Sequence, residues 1–443
     1  MKNGNLAGPP VQFIRRLKEI DPLRCSGKIA QVIGLTVEAV GLKAAVGELC
    51  EIQTLAGGRR ISAEVVGFKN KRTLLMPLGS LEGIGPGCQV LSLGRNHEIM
   101  AGPYLLGQVL DGLGRPIGGH QFTPDPADSP YSVNNLPPSP LARSRIKDVL
   151  ATGIKAIDAL LTCGKGQRIG IFSGSGIGKS TLLGMIARHS AADVNVIGLI
   201  GERGREVLEF LERDLGDGLQ KSVVVVATSD QPPLIRIKGA FVATAIAEYF
   251  RDQGKSVVLM MDSITRFANA QREVGLAVGE PPTTRGYPPS VFALLPRLLE
   301  RGGKTKNGAI TGLYSVLVEA DDMNEPVADA VRGILDGHIV LSRDLAQRNH
   351  YPAIDVLASI SRLMPELVDA KHRELAGKLR DYLAAYKEAE DLINIGAYEE
   401  GSNPRVDTAR RFYPSIVSFL QQNINEHFSF QQALVGLKTT IGH

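Results

Sequence analysis

Arg168 to Phe172 is an apolar run, RIGIF, and it leads directly into Ser173-Gly174-Ser175-Gly176-Ile177-Gly178-Lys179-Ser180, with Thr181 and the helical stretch LLGMIARH behind. A phosphate-binding loop needs this strand, glycine-rich turn and helix. Glycines let backbone N–H groups turn inward on an anion, and the helix N-terminus adds its positive end. Lys179 reaches the outer phosphates and the Ser180 hydroxyl ligates Mg²⁺. The first position, ordinarily glycine, is Ser173, and Gly174, Gly176 and Gly178 supply the flexibility that remains. The competing reading is a glycine-rich turn with a chance lysine. No other feature constrains the fold as much, because such a loop presupposes a parallel sheet with helices packed on it.

Further apolar strands fit that sheet: Val194 to Ile200, Ser222 to Thr228 and Ser256 to Asp262 alternate with helical stretches. In an open parallel sheet the carboxyl ends of the strands line the ligand crevice. Asp262 therefore points at the loop as the carboxylate near the metal, unless it only caps the next helix. Glu202, in Gly201-Glu202-Arg203-Gly204, reaches the same crevice. There a carboxylate can orient the water that attacks a γ-phosphate. Its alternative is a salt bridge to Arg203 or Arg205.

The remaining chain divides around this core. Residues 1–24 hold an amphipathic helix, with Phe13, Ile14, Leu17 and Ile20 on one face, that either packs on the adjacent domain or docks a partner. Residues 25–93 carry short alternating runs between glycine turns, the pattern of a small antiparallel β-barrel. Residues 94–150 read as a Gly/Pro-rich connector, 151–362 as the α/β nucleotide domain, and 363–443 as a helical C-terminal domain. Four cysteines without a C-x-x-C pair and eight scattered histidines predict reduced thiols and no protein-held zinc. Fifty basic against 46 acidic residues leave no basic excess of the kind a nucleic-acid binder carries. The N-terminus lacks the apolar stretch of a signal peptide and no segment reaches bilayer length, which predicts the cytoplasm.

GLIGERGREVLEF, GEPPTTRGYPPSVFALLPRLLERGG, GSGIGKSTLLGMIAR, RGILDGHIVLSRDLAQRNHYPAIDVLASISR and, within the last, PAIDVLASIS together resemble the flagellar protein-export ATPases. These are type III secretion relatives of the rotary ATP synthase α/β subunits, and the resemblance runs from about Cys25 to the C-terminus. It implies a RecA-like P-loop NTPase core that hydrolyses ATP with Mg²⁺, Glu202 catalytic and Arg203 beside it. Lys179, Ser180 and Asp262 would serve phosphate and metal, and Tyr351 would pack on the adenine. It implies too that Arg362 reaches the γ-phosphate of a neighbouring copy, so that the enzyme is a homohexameric ring. Implied partners are a regulator at the N-terminal helix, a coiled-coil stalk protein meeting Val274 to Pro289 in the channel, export chaperones and substrates, and an export gate at the cytoplasmic face of the inner membrane. A plain surface loop is the other reading of Val274 to Pro289. DLINIGAYEEGSNPRVDTA and FIRRLKEI look closer to the flagellar branch than to the virulence injectisome. A ring nucleic-acid motor would need aromatic stacking platforms, and Phe68 is the single aromatic between Gly27 and Leu93. An ATP synthase ring alternates two kinds of chain, whereas Glu202 and Arg362 coexist here.

Overall fold

The computed structural model describes residues 25–55, 58–118, 129–318 and 322–441. The amphipathic helix expected at 11–20 lies outside them. The chain forms two compact units, divided after His97.

In the first unit six strands close an antiparallel barrel: β1 (Ser26–Ile33), β2 (Thr36–Val40), β3 (Leu49–Gln53), β4 (Arg60–Lys69), β5 (Arg72–Pro77) and β6 (Gln89–Ser92), in the order β1-β2-β5-β4-β3-β6. Period-two alternation sends Cys50 and Ile52 of β3 inward against Val37, Ala39, Ala63, Leu75 and Val90. Between β4 and β5, Asn70 and Lys71 both take positive φ (50° and 62°), the backbone of a two-residue hairpin turn. Three of the four cysteines are buried, Cys25 is exposed, and all are free thiols.

The second unit is built on a nine-stranded sheet. After β7 (Glu98–Ala101) come β8 (Val109–Asp111), β9 (Ser129–Ser132), β10 (Val149–Leu150) and β11 (Cys163–Gly164). The sheet strands proper are β12 (Arg168–Ser173), β13 (Val194–Ile200), β14 (Ser222–Ala227), β15 (Ser256–Asp262), β16 (Gly303–Lys304), β17 (Ala309–Leu317), β18 (Gly337–Leu341) and β19 (Ile354–Ser361). They run in the order β19-β18-β12-β17-β15-β13-β14-β8, parallel except for β19, with β16 pairing β17 antiparallel. Every residue of β13 and β14 is buried, as the uninterrupted apolar runs of a sheet covered on both faces require.

Part of the stretch read as a connector belongs to this unit: Val109–Asp111 pairs parallel with β14 as the far edge strand, and β7 pairs β9. Three residues carry no periodicity, and the prolines lie outside them. The helix Ile264–Val278 runs further than the glycine and proline content of Val274 to Pro289 suggests. It ends where Gly279 turns left-handed at φ 93°. The C-terminal region is helical: Ala370–Asn394, Pro404–Leu420 and Phe430–Ile441 bury Leu379, Ile416 and Leu437 in one core with Ile157 and Leu160 of the short helix Lys155–Leu160.

Candidate active site

Gly176 and Gly178 hold φ of 77° and 87°, values only glycine adopts without strain, and Gly178 starts the helix Lys179–His189. Ser173 sits one step earlier, as the last residue of β12, paired with Leu317 and Leu341. Extended strand suits a serine, so the position where glycine is usual needs no glycine freedom here. Ile177 is buried beneath the loop. Gly184, further along the helix, lies so close to the π-helical turn Phe210–Leu215 that a Cβ would meet the Asp214 carbonyl oxygen at 2.5 Å.

The loop opens onto a cavity of about 620 Å³, lined by Gly174 to Gly176 and Gly178 to Thr181 with Glu202 and Arg203. Asp262, at the end of β15, is buried behind Lys179. Its Oδ1 accepts from Lys179 Nζ at 2.5 Å and from the Ser315 hydroxyl at 2.6 Å. The capping role open to Asp262 is filled by Ser263, whose hydroxyl accepts from Arg266 N. Glu202 stands on the turn after β13, and its Oε1 is buried without a hydrogen-bond partner. Burial, then the Asp262 charge, push its carboxyl up to about 7 against the pull of Lys179. Arg203 is exposed, 3.8 Å from Glu206.

Tyr351 lies on the other side of the loop. Its ring edge comes 3.5 Å from where a Gly178 Cβ would stand, and it lines a second cavity of about 470 Å³ together with Phe428. Arg362 is not brought to either cavity. It follows β19 with its amide on the Asp336 carbonyl, and Asp336 N in turn bonds the Arg168 carbonyl, at the start of β12. The phosphate loop leaves the opposite end of β12, about 17 Å away at 3.3 Å per strand residue. Arg266 and Arg343 also line the phosphate cavity. Arg266 could have been suspected, being one helical turn past Asp262. Nothing in the local pattern marks Ser315, Arg343 or Phe428, which only the strand order and the C-terminal helices bring in.

A chain with this site matches the ATP synthase alpha/beta family at its nucleotide-binding domain over residues 153–361 and at its beta-barrel domain over 29–94. Residues 368–439 match the T3SS EscN ATPase C-terminal domain. Sequence identity is 52% to the flagellum-specific ATP synthase of Bacillus subtilis (strain 168), across 96% of this chain and 97% of that one. The chain belongs to the type III secretion ATPase family. This ATPase is also 50% identical to the type 3 secretion system ATPase of Xanthomonas euvesicatoria, over 95% of each. The assembled ATPase EscN of enteropathogenic E. coli superposes with a TM-score of 0.87 at 46% identity, over 94% of this chain and 99% of that one. EscN in complex with its central stalk EscO gives 0.86. The ATPase is thus an ATP-hydrolysing enzyme of the ATP synthase alpha/beta family. Among the described residues no helix is long and apolar enough to cross a membrane.

Proposed function

We propose that this ATPase energises flagellar type III protein export as a ring of six identical copies, with each active site completed by Arg362 of a neighbour. The observation that carries the reading is the position of Arg362: exposed, and separated from its own phosphate loop by the length of β12. A head-to-tail contact that closes by rotation presents that edge to the next copy. In trans the guanidinium neutralises charge developing on the γ-phosphoryl group, an effect worth about 10³ to 10⁵ in kcat.

Within one chain, the backbone of Gly174 to Gly178 and Lys179 hold the phosphates. Lys179 exchanges Asp262 for phosphate oxygens as the nucleotide enters. Glu202, with a free buried oxygen at the cavity, orients the attacking water and takes its proton, helped by a pKa close to neutral. Arg203 and Arg266 add positive charge at the rim. Tyr351 and Phe428 offer rings to the adenine, each contact worth about 1 kcal/mol beyond its area. The Ser180 hydroxyl and Asp262 carboxylate are hard oxygen donors that fit Mg²⁺. Among the described residues no group of three or more His, Cys, Asp or Glu could hold a metal. When bound, the ion supplies charge neutralisation at the phosphates.

The export assignment draws on whole-chain identity to flagellar relatives. It carries with it a regulator at residues 1–24, a stalk protein meeting the segment Val274 to Pro289, which is exposed from Pro281 to Arg285, export chaperones and substrates, and an export gate at the cytoplasmic face of the inner membrane. Two measurements test it. Purified Lys179→Ala, folded by circular dichroism, releases no phosphate from Mg-ATP, and undiminished release contradicts the site. A pull-down from the native cytoplasm returns flagellar export partners. Recovery of injectisome partners instead would move the chain to the virulence branch.

A further inference from the structure

The segment between the last two helices, residues 421–429, runs as a strap past the nucleotide site, and its fastenings are on the phosphate-loop side. Gln422 N donates to the Tyr351 carbonyl at 2.9 Å, and Gln422 Nε2 donates to the Gly153 carbonyl at 2.8 Å. Lys155 N donates to Gln422 Oε1, and Lys155 Nζ sits 4.6 Å over the Phe428 ring. Arg188, in the last turn of the phosphate-loop helix, donates to the Ile424 carbonyl at 2.9 Å. Beside it, His189 ends that helix with its ring stacked on His427 of the strap, centroids 5.1 Å apart and planes 14° off parallel. His427 is the immediate neighbour of Phe428, whose side chain lines the base-side cavity with Tyr351.

We infer that the His189–His427 stack positions Phe428 against the nucleotide base, and that protonation of both imidazoles releases the strap and weakens nucleotide binding in acid. The inference rests on the reading of Tyr351 and Phe428 as the base site. Its physical basis is the charge around the stack. His189 Nε2 is buried with no hydrogen-bond partner. Burial, then Arg188, His427 and Lys221, hold the His189 imidazole below its ordinary value. Arg188 also bonds the Asp214 carbonyl, Lys221 bonds the Ser190 carbonyl, and Lys155 comes from the helix after Gly153. The carboxylates nearby act on other cations, Asp214 on Arg188 and Glu426 on Lys155. The charged groups that act on His189 itself are all cationic or imidazole. A single imidazolium over a neutral ring is a stable arrangement. A second sets like charges face to face, and the strap is the part free to yield.

The test is the affinity for Mg-ADP by titration calorimetry between pH 8 and pH 5.5, on the full chain and on His427→Asn. ADP lacks the γ-phosphate that engages Glu202, and protonation of its own phosphate is common to both proteins. The expected result is that His427→Asn, lacking the stack, binds more weakly than the unsubstituted chain at pH 8, and that between pH 8 and pH 5.5 the unsubstituted chain loses at least fivefold more affinity than the variant, so that the two converge in acid. Parallel losses overturn the inference. Phe428→Ala at pH 8 separates it from the underlying reading. Weakened ADP binding supports Phe428 at the base. Unchanged binding removes the base-site reading and this inference with it.

Discussion

Glu202 is a carboxyl group that the fold keeps near neutrality. Burial and the neighbouring Asp262 raise it to about 7, so it is largely protonated below that value and ionised above. A general base must be ionised to work. With Glu202 as the base, kcat/KM for ATP should fall about tenfold per pH unit below pH 7 and level off above it. Glu202→Gln should lose about 10² to 10⁴ in kcat while still binding nucleotide, and should lose that acid limb. Steady-state phosphate release over a pH series checks both, and a Gln variant with ordinary turnover removes Glu202 from the chemistry. Residues of this kind were legible because their signal is local or follows from strand polarity. Lys179 and Ser180 sit in one contiguous motif, and Glu202 and Asp262 end apolar strands that a parallel sheet must gather on one side. Ser315, which shares Asp262 with Lys179, was not legible, because a serine inside LYSVL says nothing about which strand lies next to β15.

Elements hold these groups in place through a few buried polar joints. Arg301 is fully buried and grips Glu248 of the helix Pro233–Asp252 with two bonds of 2.8 and 2.6 Å, while also donating to the Val133 carbonyl at 2.8 Å. One ion pair thus ties residues near 133, a covering helix and the start of β16 together. Removing one partner strands a charge with no water to reach. Glu248→Ala should cost about 3–5 kcal/mol in denaturant unfolding, and a loss below 1 kcal/mol would show that water reaches Arg301. At this scale the sequence was partly readable. The barrel and the parallel strands β12, β13, β14 and β15 announce themselves by period and apolar run, whereas the nine-residue β17 was not read from the sequence. The three-residue β8 has no period to read, and helix Ile264–Val278 is carried into glycine-rich sequence by packing: a Cβ on Gly275 would stand 2.7 Å from Pro288.

For the whole molecule the decisive quantity is the distance between Arg362 and the phosphate loop of the same chain. Family resemblance gives Arg362 its proposed role, yet no pattern in the sequence tells at which end of the sheet it lies; that depends on β19 running antiparallel to β18. If Arg362 is the finger, its place at the opposite end of β12 from the phosphate loop leaves an isolated copy with only part of a site. Specific activity should accordingly rise with protein concentration as rings close, and strictly linear scaling of the rate down to dilute monomer would count against a shared site.

Mixing two inactive variants tests the claim most directly. Arg362→Ala keeps its phosphate loop and Lys179→Ala keeps its finger, so an interface between them in the right order has both. Each variant alone should release almost no phosphate, whereas an equal mixture should recover up to about a quarter of the unsubstituted rate, the share of correctly ordered interfaces in randomly mixed rings. Absence of recovery at every mixing ratio, in rings shown to contain both chains, would contradict an active site completed by the neighbouring copy.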